Sequence, residues 1–411
     1  MYPRVAWTSK ENLRDNRLLN GGFYQSIRFT LLAFRLTGLL SMSGLFYNTS
    51  KFTRCSWKTP YSIIQIPVVI FQVCTVLFSL CDFVFKGFTS HKFSNFYLFG
   101  SLSCIRLCSK WRTAINEIEA IEVKLPPVHP KKPVFVANVV TFVISFGSAV
   151  EHVLYLIFTT ETTRKCYLLP DDSGLYLKSY LLSNYVWLYE YISFSYVSGF
   201  ILYQVQSVFL VNLMVTTIMI TSIYLTNRFK KFNRILYQRQ YKVSIFIQPS
   251  TWAELQVYYT RITRLAKILD DLFSPFIFVV IFYHLFYTSR QIFYILNKLT
   301  RDNPVKYTDC VEQHRFDWEV ITYTTYSFFL TLTKLSIISF LAAELHTTSR
   351  EPLNALYTAP TNYYNMQMQR LMTQIYNSDV CLTGVLFRIT RETILTTITT
   401  IMTYELVLLQ I

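Results

Sequence analysis

The chain has 411 residues, 52% of them hydrophobic and 15% charged, against roughly 25% charged in a soluble domain. Together with a positive mean hydropathy and only 10 glycines and 13 prolines, this excludes flexible linkers, low-complexity tracts and a separate soluble domain, and points to an all-α polytopic membrane protein. The net charge of +15 is interleaved with apolar spans, a pattern of membrane orientation rather than of nucleic-acid binding.

Residues 1–28 are polar and basic, show no signal-peptide pattern, and read as a cytoplasmic tail. Phe29 to Tyr47 is apolar but interrupted by Arg35, which favours a helix packed on or partly into the membrane over a true span. Spans one to three are expected at Tyr61 to Phe85, at Phe93 to Leu107 running on through Cys108 to Val123, and at Val134 to Phe158. Pro126, Pro127, Pro130 and Pro133 mark a cytoplasmic turn between the second and third. A polar loop from Thr159 to Asn184 leads to span four, within Tyr185 to Leu225. Arg228 to Leu272 is basic and helix-periodic, a cytoplasmic extension of spans four and five. Span five is Phe273 to Leu296, span six Val320 to Leu341, and His346 to Glu392 is a cytoplasmic stretch rich in helix formers.

The last segment, Thr393 to Ile411, is apolar apart from Glu405 and long enough to be span seven. Thr396, Thr400, Thr403, Val407 and Gln410 share one helical face. That face either lines a pore or holds threonines bonded back to their own helix. The division along the chain is therefore 1–60, a cytoplasmic region with a membrane-associated helix; 61–344, spans one to six with an external pocket; 345–392, a cytoplasmic anchor; and 393–411, a pore-lining span.

With the N-terminus inside, the cytoplasmic segments hold about three times as many Lys and Arg as the external ones. Seven spans then place the C-terminus outside. The eight cysteines show no metal-ligand spacing. Cys55, Cys74, Cys81, Cys104 and Cys108 fall in membrane or cytoplasmic stretches and are expected free, whereas Cys166 and Cys310 fall in external loops and are a candidate disulfide. The sequon at Asn48 lies inside and is expected unmodified.

No HExxH, CxxC pair, glycine-rich phosphate loop or GxSxG is present, and the adjacent carboxylates Asp171–Asp172 and Asp270–Asp271 do not face one another on a helix. Neither an enzyme nor a cofactor or metal is expected. Aromatic and hydrogen-bonding residues instead concentrate toward the outer halves of spans three to six. They include Glu151, His152 and Tyr155; Tyr191 and Asn212; Tyr283 and Gln291; and Tyr323. Flat faces with donors and acceptors suit a ligand rich in hydroxyls, and an aromatic belt at the lipid interface is the competing reading. Glu151 and His152 stand apart, since ionisable groups in a span mark functional sites.

The run Thr403-Tyr404-Glu405-Leu406-Val407-Leu408-Leu409-Gln410 resembles the signature that ends insect gustatory receptors, and Glu405 in its third position resembles the sugar-receptor branch. Cys108 to Glu122, Val150 to Leu154, Thr226 to Asn233, Ala342 to Leu353 and Cys381 to Leu395 resemble further stretches of that family. The chain departs from it at Ile411, where phenylalanine is usual, and at Val211 to Val215, where a carboxylate is missing while Asn212 remains. It also departs at Tyr283-His284, which replaces an asparagine pair.

The resemblance implies a ligand-gated non-selective cation channel in the plasma membrane of a chemosensory neuron, opened by a sugar. Four subunits, identical or sister receptors, would surround one pore within membrane lipid. Gln410 and Ile411 would form the outer gate with Val407 and Thr403 below, and carboxylates at residue 411 would ring the mouth. Glu405, about 200° around the helix from Thr403, would pair inside the bundle, with Lys334 a partner, and with Tyr404 would form a structural motif. A G-protein-coupled seven-helix taste receptor is an alternative, opposed by the charge count and by the lack of DRY-like or NPxxY-like motifs. A co-receptor subunit for non-sugar ligands is another.

Overall fold

The computed structural model describes residues 22–47, 50–55, 63, 65–74, 76–77, 94–126, 131–167, 194–242, 249–300, 317–358, 364–393, 396, 399–400 and 403. Residues 131–133, 166–167, 194–205, 239–242, 249–251 and 293–300 are described by backbone alone. The described chain is overwhelmingly helical. Helix α1 is Phe23–Leu36, followed by strands β1, Met42–Ser43, and β2, Arg54–Cys55, and by a helical stretch at Gln65–Cys74. Five long helices follow: α2 (Ser94–Glu122), α3 (Lys131–Tyr167), α4 (Phe194–Lys242), α5 (Pro249–Thr300) and α6 (Trp318–Arg350). Short helices α7, Pro352–Tyr357, and α8, Met366–Asn377, lead to a hairpin of β3, Thr383–Gly384, and β4, Phe387–Arg388. Among the described residues three stretches are long and apolar enough to cross a bilayer: Val134–Lys165, Gln206–Gln238 and Trp318–Tyr357.

Several helix limits differ from those expected. Helix α1 starts at Phe23 rather than after Arg28, and ends at Leu36 rather than near Tyr47. Gly38 (φ 75°) closes it: its N–H donates to Arg35 O at 3.0 Å and that of Leu39 to Phe34 O at 2.9 Å, the paired bonds of a glycine-terminated helix. At 14 residues and about 1.5 Å each it is too short to span. Pro133, expected in the turn, is the third residue of α3, where its missing N–H leaves no intrahelical bond unmade. The polar run from Thr159 to Tyr167, expected as loop, continues α3, with Arg164 bonded to Glu161 one turn back at 2.9 Å.

The chain forms two compact units, Met1–Thr141, Leu213–Val279 and Ile337–Ile394 in one, and Phe142–Asn212, Val280–Ser336 and Leu395–Ile411 in the other. In the first, Trp111, Tyr259, Phe23, Phe34, Phe229, Phe232, Phe273 and Phe276 are its largest fully buried side chains. Phe23, Ile27, Leu31 and Phe34 bury one face of α1, with Phe23 against Tyr224 (5.2 Å) and Phe34 against Phe276 (6.1 Å). One carboxylate seats the start of this helix. Glu122 Oε1 accepts from Phe23 N (3.0 Å), from Arg228 Nη2 (3.0 Å) and from the Tyr224 hydroxyl. An anion at a helix N-terminus satisfies an otherwise unpaired amide and meets the positive end of the dipole.

A disulfide joins Cys55 of β2 to Cys108 of α2, correcting the expectation that both are free thiols. The cause is tertiary: β2 lies against α2, where Trp111 Nε1 donates to Thr53 Oγ1 (3.2 Å) and the Ser50 hydroxyl bonds Glu119. The candidate Cys166–Cys310 pairing and the sequon at Asn48 lie outside the described side chains.

The anchor stretch belongs to the same unit. Met368, Leu371, Met372 and Ile375 give α8 a buried stripe, and Asn365 caps it through Met368 N at 2.9 Å. Asp379 is paired with His346 (3.2 Å), Arg350 (3.3 Å) and Arg388. Asp270 holds the hairpin by accepting from Thr383 N (2.7 Å) and Oγ1 (2.6 Å), and burial lifts its carboxyl above the ordinary carboxylate range.

Candidate functional site

The second unit holds the polar residues singled out in the sequence. On α3, Glu151, His152, Tyr155, Phe158 and Thr159 recur at intervals that keep them on one face. On α5, His284, Tyr287, Thr288 and Gln291 do the same, as do Tyr323, Ser327 and Lys334 on α6. Helix α4 adds Gln206, Ser207 and Asn212.

Hydrogen bonds tie these faces into one chain. Lys334 Nζ donates to Asn212 Oδ1 (2.7 Å) and Ser148 Oγ (3.0 Å) and lies 3.6 Å from Glu151 Oε2. Glu151 Oε1 accepts from Ser327 Oγ at 2.5 Å. Ser327 Oγ is 3.0 Å from the Tyr287 hydroxyl, which is 3.0 Å from that of Tyr323. The relay thus crosses α3, α4, α5 and α6. Beside it stands an aromatic wall: Tyr323 stacks on Phe158 (5.1 Å between centroids, 8° between planes) and meets Tyr155 at 5.5 Å, and Tyr283 stacks on Tyr287 at 5.8 Å.

A second group has no such satisfaction. Both ring nitrogens of His152, the hydroxyls of Thr159, Ser207 and Thr288, the Gln206 amide nitrogen and the Gln291 amide oxygen are buried without a hydrogen-bond partner among the described residues. Leaving a buried donor or acceptor unmade costs about 1–3 kcal/mol, and native proteins leave few. All of these groups fall in the unit that holds the aromatic wall.

Of the expected ligand residues, Glu151, Tyr155, Asn212 and Tyr323 join the relay or its aromatic wall, and His152 stacks on Tyr155 at 6.2 Å. Tyr283 packs against Tyr287 and His284. Gln291 shares the α5 face without bonding to the relay, and Tyr191 lies outside the described residues. Ser327, Ser148, Gln206 and Ser207 were not singled out; Ser327 has a sequence signal, one turn from Tyr323 on the same face. Lys334 finds Glu151, while Glu405, Tyr404, Val407, Gln410 and Ile411 lie outside the described residues. Thr403 is helical and exposed; its hydroxyl donates to Thr399 O (2.9 Å), and that of Thr400 to Thr396 O (2.8 Å). Both hydroxyls bond back to carbonyls of their own helix.

A profile of the trehalose receptor family matches residues 6–411. The gustatory receptor for sugar taste 61a of Drosophila melanogaster is 28% identical over 239 residues, 58% of this chain and 50% of that protein. The gustatory receptor for sugar taste 64f of the same fly is 25% identical over 269 residues, 65% of this chain and 51% of that protein. The chain thus spans about half the length of these two relatives. Gustatory receptor 5a for trehalose, also from that fly, is 23% identical over 410 residues, 97% of this chain and 87% of that protein. In architecture the chain is similar to the insect olfactory receptor OR5 from Machilis hrabei, with a TM-score of 0.54 at 12% identity over 93% of this chain and 97% of that one. The family profile over residues 6–411, a receptor relative across nearly the whole chain and the apolar helices lead to one assignment: the chain is a membrane protein that belongs to the trehalose receptor family of insect gustatory receptors.

Proposed function

We propose that this chain is a sugar-responsive gustatory receptor that works as a ligand-gated non-selective cation channel in the plasma membrane of a chemosensory neuron. What supports the reading is the set of buried polar groups without a partner among the described residues, in the same unit as the aromatic wall of Tyr155, Phe158, Tyr287 and Tyr323, with His152 stacked on Tyr155. Sugar rings stack their C–H faces on such walls and place hydroxyls against such donors and acceptors. The proposed architecture has seven spans, the N-terminus inside and residue 411 outside, with four copies, or copies mixed with sister receptors, around one pore. Glu151, His152, Tyr155, Asn212, Tyr283, Gln291 and Tyr323 form the external-side pocket together with Tyr191. The pore is lined by residues 393–411, gated by Gln410 and Ile411 above Val407 and Thr403, with Tyr404 and Glu405 holding the helix. A sugar that binds the open arrangement more tightly shifts the population toward it.

The test is whole-cell current from cells expressing this chain alone, challenged with mono- and disaccharides without added G proteins. A sugar-evoked cation current is the expected outcome. Silence with surface expression confirmed overturns the sugar-gated homomeric channel.

A further inference from the structure

Lys334 is only 3% exposed, and the partners of its ammonium are all fixed: Asn212 Oδ1, Ser148 Oγ and Glu151 Oε2. Two of its three protons go to Asn212 Oδ1 and Ser148 Oγ, and the ammonium faces Glu151 Oε2 as an ion pair at 3.6 Å. Its effect on the pocket is a stationary positive charge behind Glu151. The opposite oxygen of that carboxylate takes the Ser327 hydroxyl, on the side of Tyr287 and Tyr323. Among the other charges of this unit, Lys165 is engaged by Asp317 and Glu319, Arg164 by Glu161, and Arg290 is exposed.

We propose that Lys334 determines which ligand charge the pocket accepts, admitting neutral sugars and rejecting sugars that carry an ammonium group. The inference rests on the reading of this unit as the ligand site. A neutral hydroxyl can replace Ser327 on Glu151 Oε1 with no change in charge. An ammonium would surrender its hydration to reach a carboxylate that already has a cation on its other oxygen, so its desolvation goes uncompensated. Without Lys334, Glu151 becomes a part-buried carboxylate with no cation beside it among the described residues, and a cationic ligand becomes its natural partner. A role as a mere pin between α3, α4 and α6 makes a different prediction: loss of the lysine would then lower folding or maximal current for every ligand alike.

The experiment compares half-maximal concentrations for glucose and trehalose with those for glucosamine and trehalosamine, in mildly acidic buffer that keeps the amines protonated. It uses the full chain, with surface protein measured for each variant. In the wild type the amino sugar requires at least about tenfold more ligand. Lys334→Met removes that discrimination, and Lys334→Met with Glu151→Gln, which restores charge balance, brings it back. Lys334→Gln, which keeps a hydrogen-bonding head without the charge, behaves as Lys334→Met and serves if the methionine variant does not reach the surface. A ratio that stays constant across the variants, equal potency of both sugar types in the wild type, or failure of every Lys334 variant to reach the surface overturns the charge filter. A wild type silent to both neutral sugars overturns the sugar-gated homomeric channel on which the charge filter rests.

Discussion

Tyr323 meets the candidate pocket in two ways, through its ring on Phe158 and Tyr155 and its hydroxyl on Tyr287. The two parts separate by substitution. A hydrogen bond contributes about 0.5–1.5 kcal/mol, so Tyr323→Phe should raise the half-maximal sugar concentration by about two- to tenfold, whereas Tyr323→Ala, which also removes the wall, should raise it further; dose–response curves on surface-matched cells read the difference. Cys381 offers a test away from the spans. Burial, then the charges of Asp379 and Asp270, push its thiol up to about 11. The thiolate attacks maleimide, so labelling of Cys381 should be slow at neutral pH and rise about tenfold per pH unit until near that value. Asp379→Asn removes a negative neighbour that holds the thiol protonated, so labelling should quicken severalfold; mass spectrometry of the labelled peptide measures both.

At the scale of elements, the disulfide between β2 and α2 closes a loop over a sequence separation of 53 residues. Chain entropy alone assigns such a crosslink about 4 kcal/mol. Peptide mapping without reductant should recover the Cys55–Cys108 pair, and Cys55→Ser with Cys108→Ser should lower the melting temperature of the detergent-purified chain. Two free thiols in that map would remove the bridge. The sequence hid this pair because nothing local joins Cys55 to Cys108; only the seating of Ser50 and Thr53 along α2 brings them together. Helix interiors were legible, since α2 to α6 follow apolar runs that water cannot tolerate. Their ends were not: Thr159 to Tyr167 looks like loop by polarity, yet backbone bonds and the Glu161–Arg164 pair carry α3 through it. The α3 and α5 faces of the candidate site followed from spacing. Ser327 and Ser148 did not: Ser327 gives its hydroxyl to Glu151 on another helix, and Ser148, which donates to Ile144 O of its own helix at 2.8 Å, also accepts from Lys334, contacts that exist only in three dimensions.

For the whole molecule, the proposed topology of seven spans, with the N-terminus inside and residue 411 outside, rests on the excess of Lys and Arg in alternate segments. An epitope placed ahead of Met1 should be reached by antibody only after permeabilisation, and one placed after Ile411 on intact cells. The reverse pattern at residue 411 would restore the G-protein-coupled reading. The whole chain also sets a timetable for its own assembly. Helix α1 rests on Glu122, Arg228 and Phe273, none of which exists when Leu36 leaves the ribosome. At about 5–20 residues per second, the stretch from Leu36 to Arg228 takes on the order of 10–40 s to synthesise. For that interval Phe23, Ile27, Leu31 and Phe34 face whatever is nearest. The earliest helix among the described residues is therefore among the last to find its place, and the translocon or a chaperone must shelter its apolar stripe until the third long helix arrives, and with Phe273 the fourth.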